Sequence, residues 1–258
     1  MSKTNKDILI RLQNVWKTYT MGANKVHALR NMNFEAKRGE FVAIMGPSGS
    51  GKSTMVNLVG CLDIPTKGEI FLKHQNIAHL SESKLAQIRG QTIGFIFQQF
   101  NLIPTISALE NVMLPMTFQN MVRSEREKRA AKLLDLVGLG DRLHHRPTEL
   151  SGGQQQRVAI ARSLSNDPEL ILADEPTGNL DSKTGVNVMS FLEKLNREQG
   201  KTIVMVTHDE KLSHIAERVA HLMDGQIINE TRPTAKERRQ SFLHSGLAPK
   251  ESSISKKS

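Results

Sequence analysis

The segment Gly46-Pro47-Ser48-Gly49-Ser50-Gly51-Lys52-Ser53 has the form G-x-x-x-x-G-K-S. A chain that carries it after an apolar run is committed to a strand, a tight anion-binding turn and a helix. Phe41-Val42-Ala43-Ile44-Met45 leads in as a buried strand, and Lys52-Ser53-Thr54 opens the helix. Glycines let such a backbone take positive φ and come close to an anion, and successive N–H groups at a helix N-terminus can cradle phosphates. Lys52 is placed for the β- and γ-phosphates and the Ser53 hydroxyl for a Mg²⁺ shell. A chance glycine-rich turn is the competing reading, and the strand and helix on either side weigh against it.

The rest of the pattern is α/β. Alternating apolar residues mark a β-rich opening over residues 8–45, the helix after the loop ends near Gly60, and strands resume at residues 68–72 and 93–97. Residues 101–164 hold no convincing strand; Ser124-x-x-Glu127 has the form of a capping box, and Gly138 and Gly140 close the helix it opens. This predicts a helical lobe inserted into the core. Leu170-Ile171-Leu172-Ala173 is a buried strand, residues 183–199 are helical, residues 202–206 form the next strand, and Asp224-Gly225 is a hairpin turn.

Composition limits the alternatives. With 258 residues and 38% hydrophobic content, the chain suits one large α/β domain. No apolar run approaches the ~20 residues of a membrane span, and the first seven residues lack the apolar core of a signal peptide. One cysteine, Cys61, excludes an internal disulfide and fits a reducing compartment as core filler. Net charge is +9, but seven Lys/Arg against two Glu from Arg232 onward put +5 in the tail and leave +4 elsewhere. Charge therefore carries little argument for a nucleic-acid partner, and none is expected. Residues 232–258 have the composition of a basic disordered tail, with Phe242, Leu243 and Leu247 as candidate membrane contacts against a solvated appendage.

Four further segments add chemistry. Asp174 and Glu175 end the 170–173 strand; Asp174 is placed to hold Mg²⁺ and Glu175 to polarise an attacking water. His208 follows another strand end with Asp209 beside it, a position that raises a γ-phosphate-sensing role against the ordinary reading of a structural or merely exposed histidine. Gln98 ends a third, where its amide oxygen can join the Mg²⁺ shell. Leu150-Ser151-Gly152-Gly153-Gln154 opens a helix with N–H groups and a dipole for an anion, yet no lysine accompanies it. It is half a nucleotide site, and a second chain must supply the other half.

Phosphate loop, Gln98, LSGGQ, LILADE, Asn179-Leu180-Asp181 and His208 follow one another as in a known family. Over residues 8–230 the sequence resembles an ABC-transporter ATPase subunit. The resemblance implies a RecA-like P-loop NTPase core (residues 8–98 and 165–231) with an N-terminal antiparallel β subdomain and an inserted α-helical subdomain at about 99–164. It further implies two copies clamping two ATP molecules head to tail, with Ser151, Gly152, Gly153 and Gln154 acting on the ATP of the opposite protomer. Asp181 then links the two sites and Tyr19 stacks on adenine, its alternative being a strand aromatic packed on the core. The segments Phe97 to Pro104, Ala108 to Val112 and Ala173 to Asp181 resemble the ATPases of macrolide exporters, lipoprotein-releasing complexes and the cell-division ABC complex. That group implies a peripheral subunit on the cytoplasmic face, driving a separate permease with a large extracytoplasmic domain, for export or extraction of lipophilic, lipoprotein or antibiotic-type substrates. A signalling ATPase that regulates an extracytoplasmic hydrolase is the second reading. An ABC ATPase of DNA repair or translation is the third, disfavoured by the single phosphate loop and the lack of a cysteine cluster or heptad array. Two complete half-sites favour a homodimer, and the tail departs from the compact ending of the group.

Overall fold

Short apolar runs flanked by turns, buried on both faces, are the ingredients of a parallel sheet. The computed structural model of the chain describes residues 7–22 and 24–244. Strands β1 (Ile8–Met21) and β2 (Asn24–Lys37) form a long antiparallel pair, then β3 (Phe41–Met45) enters the interior and α1 (Lys52–Val59) leaves it. Next come β4 (Lys67–Leu72), β5 (Gln75–Asn76), α2 (Glu82–Thr92) and β6 (Ile93–Ile96). Helices α3 (Ala108–Thr117), α4 (Arg123–Leu136) and α5 (Gly152–Ser163) make the excursion before β7 (Leu170–Asp174). The chain continues through α6 (Ser182–Gln199), β8 (Thr202–Thr207), α7 (Glu210–Ser213), β9 (Arg218–Met223), β10 (Gln226–Thr231) and α8 (Ala235–His244).

Two sheets result. The first runs β2-β1-β4-β5, and the second runs β10-β9-β3-β8-β7-β6. Within the second, β9, β3, β8, β7 and β6 are mutually parallel, and β10 closes one edge as an antiparallel hairpin. Because side chains alternate across a strand, each central strand feeds two cores. Phe41, Ala43, Ile171, Ala173, Ile203 and Met205 join the helical excursion and α6 in one. Val42, Ile44, Leu170, Leu172, Val204 and Val206 pack with α1 and the first sheet in the other. Burying each Val, Leu, Ile, Phe or Met among them contributes about 1.5–3 kcal/mol, so a one-residue slip of register would exchange the two sets and lose both fits.

The excursion is anchored as well as packed. Val112, Leu134 and Val158, one from each of α3, α4 and α5, share the first core. Fully buried Asn111 accepts from the Ile103 N–H (2.8 Å) and donates to the Ile103 and Ser107 carbonyls (3.1 and 3.0 Å). That fixes the approach to α3, and a Ser107–Glu110 capping box fixes its start.

Three local expectations are corrected. Helix α4 starts at Arg123 with Val122 in the cap position, so Ser124 lies inside the first turn. Glu127 bonds the Arg123 Nε at 2.8 Å instead of completing a box, because a charge-assisted partner competes better for its carboxylate. Helix α2 occupies a stretch for which no helix was expected. The basic tail is also not wholly irregular, since Ala235–His244 is helical. Glu237 accepts from the Thr234 N–H and hydroxyl (both 2.7 Å) while the Thr234 Oγ1 accepts from the Glu237 N–H (3.2 Å), which satisfies the first turn. Residues 245–258, with Leu247, and the side chains of Phe242 and Leu243 lie outside the described structure, and the membrane-contact expectation with them. Cys61 is buried, with its thiol pushed up to about 11, an inert core group.

Candidate nucleotide site

Parallel pairing brings four loop exits to one edge of the second sheet. Met45 is level with Thr207, Val206 with Asp174, and Ala173 with Ile96. The phosphate loop, His208, the Asp174-Glu175 pair and Gln98 therefore emerge side by side beyond the carboxyl ends of β3, β8, β7 and β6, where open α/β sheets bind ligands.

The phosphate loop is braced from behind. A Cβ on Gly46 would lie 2.2 Å from the Leu222 carbonyl oxygen, and one on Gly51 would lie 2.5 Å from that of Ala28. Gly51 also has φ of 106°, so both space and backbone demand glycine there. The Gly225 N–H donates to the Ser50 carbonyl (2.9 Å), and the Arg30 N–H donates to that of Gly225 (3.0 Å). Helix α1 has no side-chain cap and no acidic residue in its first turn, which leaves its N–H groups and positive dipole end to an anion. Lys52, only 8% exposed, folds over the loop and donates to the Gly46 and Pro47 carbonyls (2.8 and 2.9 Å). The buried Ser50 hydroxyl has no partner, a polar group facing a loop built for one.

The carboxylates differ by environment. Burial, then the neighbouring Glu175 charge, hold the Asp174 carboxyl above its usual range, while the Ser53 hydroxyl bond and Lys52 pull the other way. Glu175 has φ of 45°, a left-handed conformation costly for a side-chain-bearing residue. Its N–H donates to the Val206 carbonyl (3.0 Å), and Oε1 lies 2.9 Å from His208 Nδ1. The His208 ring is otherwise exposed, and the pair borders a cavity of about 400 Å³ that Asp181 and Ser241 also line. Gln98 directs its amide at the turn after Glu175, where a Cβ on Gly178 would be 2.7 Å from Nε2. The Gln98 carbonyl accepts from Asn179 Nδ2 at 2.9 Å.

Tyr19 stands at the other flank, beside Thr54 of α1. Its hydroxyl donates to Asp63 (3.0 Å), Lys17 Nζ sits 4.9 Å from the ring centroid, and Lys17 pairs with Asp63 at 2.6 Å. Burial, then the Asp63 bond, raise the phenol pKa. Lys17 and Asp63 escaped sequence reasoning, and Asn179 entered it only as part of a motif with no role of its own, because the Lys17–Asp63, Tyr19–Asp63 and Asn179–Gln98 bonds span 46, 44 and 81 positions.

The second glycine loop sits elsewhere on the surface. Ser151 and Gln154 cap α5 reciprocally, the Ser151 N–H donating to Gln154 Oε1 (2.8 Å) and the Gln154 N–H to the Ser151 Oγ (3.3 Å). Gly152 faces Phe100, Asn179 and Leu180, and a Cβ on Gly153 would lie 2.3 Å from Thr184 Cγ2. Asp181 caps α6 by accepting from the Thr184 N–H (3.1 Å), and the Thr184 hydroxyl bond, then that N–H bond, lower its carboxyl pKa. The chain's two glycine loops thus rest on different neighbours.

A strand–phosphate loop–helix unit, acids at a parallel strand end and a helical insertion that carries a second glycine loop, Ser-Gly-Gly-Gln, define a P-loop ATPase class. Residues 29–178 match the family model described as ABC transporter. The sequence is 54% identical over 228 residues to an uncharacterised ABC transporter ATP-binding protein, MJ0796, of Methanocaldococcus jannaschii, covering 87% of this chain and 97% of that one. It is 49% identical over 243 residues to the macrolide export ATP-binding/permease protein MacB of Escherichia coli, covering 91% of this chain but 38% of MacB. A dimeric post-hydrolysis structure of the MJ0796 cassette with ADP and Pi superposes with a TM-score of 0.82 at 52% identity, over 88% of this chain and 99% of that one. The chain belongs to the ABC transporter family and has the ABC ATPase fold. Among its described residues no helix is long and apolar enough to cross a membrane.

Proposed function

We propose that the chain is the ATP-hydrolysing subunit of an ABC transporter, pairing with a second copy around two ATP molecules and driving a separate integral-membrane permease from its cytoplasmic face. The observation that carries the reading is the Glu175–His208 contact at neighbouring strand ends beside the phosphate loop. An ionised carboxylate only accepts hydrogen bonds, so His208 Nδ1 carries the proton and holds Glu175 oriented. Glu175 then takes the proton of a water as its oxygen bonds the γ-phosphorus and the bond to the departing ADP breaks. Lys52 leaves its two carbonyls for the β- and γ-oxygens, backbone N–H groups of Gly46 and residues 48–54 hold the remaining phosphate oxygens around the Pro47 turn, and Tyr19 offers its ring to adenine.

Ser53, Asp174 and Gln98 are the proposed Mg²⁺ ligands. The donor set fits: Asp174 is burdened by burial and by Glu175, and the Ser53 hydroxyl already bonds it. Among the described residues no group of three or more His, Cys, Asp or Glu could hold a metal. Mg²⁺ suits that economy, since it takes one or two carboxylates and completes its shell with water and substrate phosphate. When bound, the ion neutralises charge on the β- and γ-phosphates.

Ser151, Gly152, Gly153 and Gln154 meet the γ-phosphate and ribose of the ATP on the partner copy, with Asp181 between the two sites. The MJ0796 dimer with ADP and Pi supports this arrangement, and the likeness to MacB, a macrolide export ATP-binding/permease protein, supports export through a permease, to which we assign a large extracytoplasmic domain. The cavity of about 870 Å³ between α3 and α4, lined by Glu110, Met113, Arg126 and Arg146 among others, supports docking of a permease helix on the lobe. Purified Glu175→Gln given ATP and Mg²⁺ is expected to elute as an ATP-bound dimer and to hydrolyse at least ~100-fold slower than wild type. Wild-type turnover by that variant removes Glu175 from the mechanism.

A further inference from the structure

Arg162, in the last turn of α5, is paired in an unusual way. Its guanidinium is largely buried, and among the described residues no carboxylate lies within ion-pair distance of it; burial alone lowers its pKa. Its hydrogen bonds go to backbone: Nη2 donates to the Phe100 carbonyl (2.8 Å) and Nη1 to that of Asn101 (2.5 Å). The two acceptors are consecutive residues in left-handed backbone, with φ of 34° and 50°. Asparagine tolerates that region, but phenylalanine does so only when its surroundings enforce it. Phe100 and Asn101 begin two residues after Gln98, whose own carbonyl is held by Asn179.

The segment 98–101 is therefore strapped at both ends. Asn179 ties it to the turn after Glu175, and Arg162 ties it to the helix that opens at Ser151. Helix α5 spans 12 residues and is a rigid rod about 18 Å long. A rotation of the lobe that moves Ser151 must also move Arg162, and with it the Phe100 and Asn101 carbonyls.

We propose that Arg162 is a positioning residue: its fork holds the left-handed Phe100–Asn101 turn, sets Gln98 against the Glu175 loop, and transmits motion of the Ser151 loop to Gln98. A lysine is the poorer strap, because its ammonium is a point charge on a flexible stem and lacks the rigid planar fork that fixes two carbonyls in one orientation. The role in turnover rests on the hydrolase reading above; the latch itself does not.

The test measures amide hydrogen exchange over residues 99–104 in the nucleotide-free protein, alongside steady-state ATPase kinetics. Arg162→Gln is expected to speed exchange at least ~10-fold there, with α1 and β3 unchanged, and to lower kcat about 10-fold with KM for ATP within about twofold. Adding Phe100→Gly and Asn101→Gly, which permits the same turn without a strap, is expected to return kcat to within about threefold of wild type. Arg162→Lys covers the case in which Gln is not tolerated, with the same local loosening and a smaller loss of kcat. Unchanged exchange over 99–104, loosening spread evenly through the sheet, or no recovery by the glycines overturns the latch. Wild-type protein without ATPase activity overturns the reading of function instead, and the exchange data then decide the latch alone.

Discussion

The two glycine loops make opposite use of the same device. Both open a helix and offer backbone N–H groups, but the first is enclosed by its own chain and the second is left open. Leu222 and Ala28 press on the first, Lys52 lies across it, and no side chain caps α1. At the second, Ser151 and Gln154 cap each other, no lysine adjoins the loop in sequence, and Ser151 and Gly152 are exposed. An uncapped helix end with a lysine is a site in itself. A self-capped end without one is no site in itself, and under the proposed function its ligand comes on the partner copy.

That contrast can be broken most directly at Lys52. Replacing Lys52 with Ala removes the cation from the enclosed loop and is expected to weaken ATP binding by about 100-fold, or about 3 kcal/mol, in titration calorimetry of the monomer. Next is Ser151→Ala, expected to leave monomer affinity within about twofold while ATP-driven dimerisation falls about 10-fold; sedimentation with ATP measures it. Mixing the two variants sharpens the comparison further. A mixed dimer joins the intact Lys52 of one copy to the intact Ser151 of the other, so the mixture is expected to recover about a quarter of wild-type ATPase for random pairing and independent sites. Recovery of nothing would show that each chain completes its own site.

The smallest effect concerns stability. The Asp174 carboxyl has a folded-state pKa above its unfolded value of about 4. Its contribution is thus fully present below the unfolded value and is lost as pH rises through the folded one, leaving a cost at neutral pH. Asp174→Asn is expected to raise Tm by about 1–2 °C at pH 8 in the nucleotide-free protein, solvent screening included, while abolishing turnover. The gain should shrink as pH falls through the folded value toward the unfolded one of about 4, as the folded wild-type group takes up its proton. Scanning fluorimetry at the two pH values decides it.

What could be seen in advance follows the range of each interaction. The strands and the first loop were legible because a buried parallel strand writes a continuous apolar run and the phosphate loop is fixed by contiguous residues. Helix α2 was not, since it buries only Leu85 and Thr92 and leaves no helical stripe. Helix α8 did leave a sign, the Thr234-x-x-Glu237 box, which the basic composition around it obscured. At the candidate site the strand-end residues Gln98, Asp174, Glu175 and His208 were readable from their positions. The Lys17–Asp63–Tyr19 cluster and the Asn179 and Arg162 straps were not, because they join segments far apart in the chain, and spacing carries no record of them.

The hairpin behind the phosphate loop has a consequence for how the protein is made. Leu222 and Gly225 buttress residues emerging some 170 positions earlier. A nascent polypeptide that has already displayed its glycine-lysine motif still lacks the splint that sets the motif's shape. Competence for triphosphate should therefore appear abruptly, only once synthesis has passed Gly225, and partially made chains should go unclaimed by nucleotide.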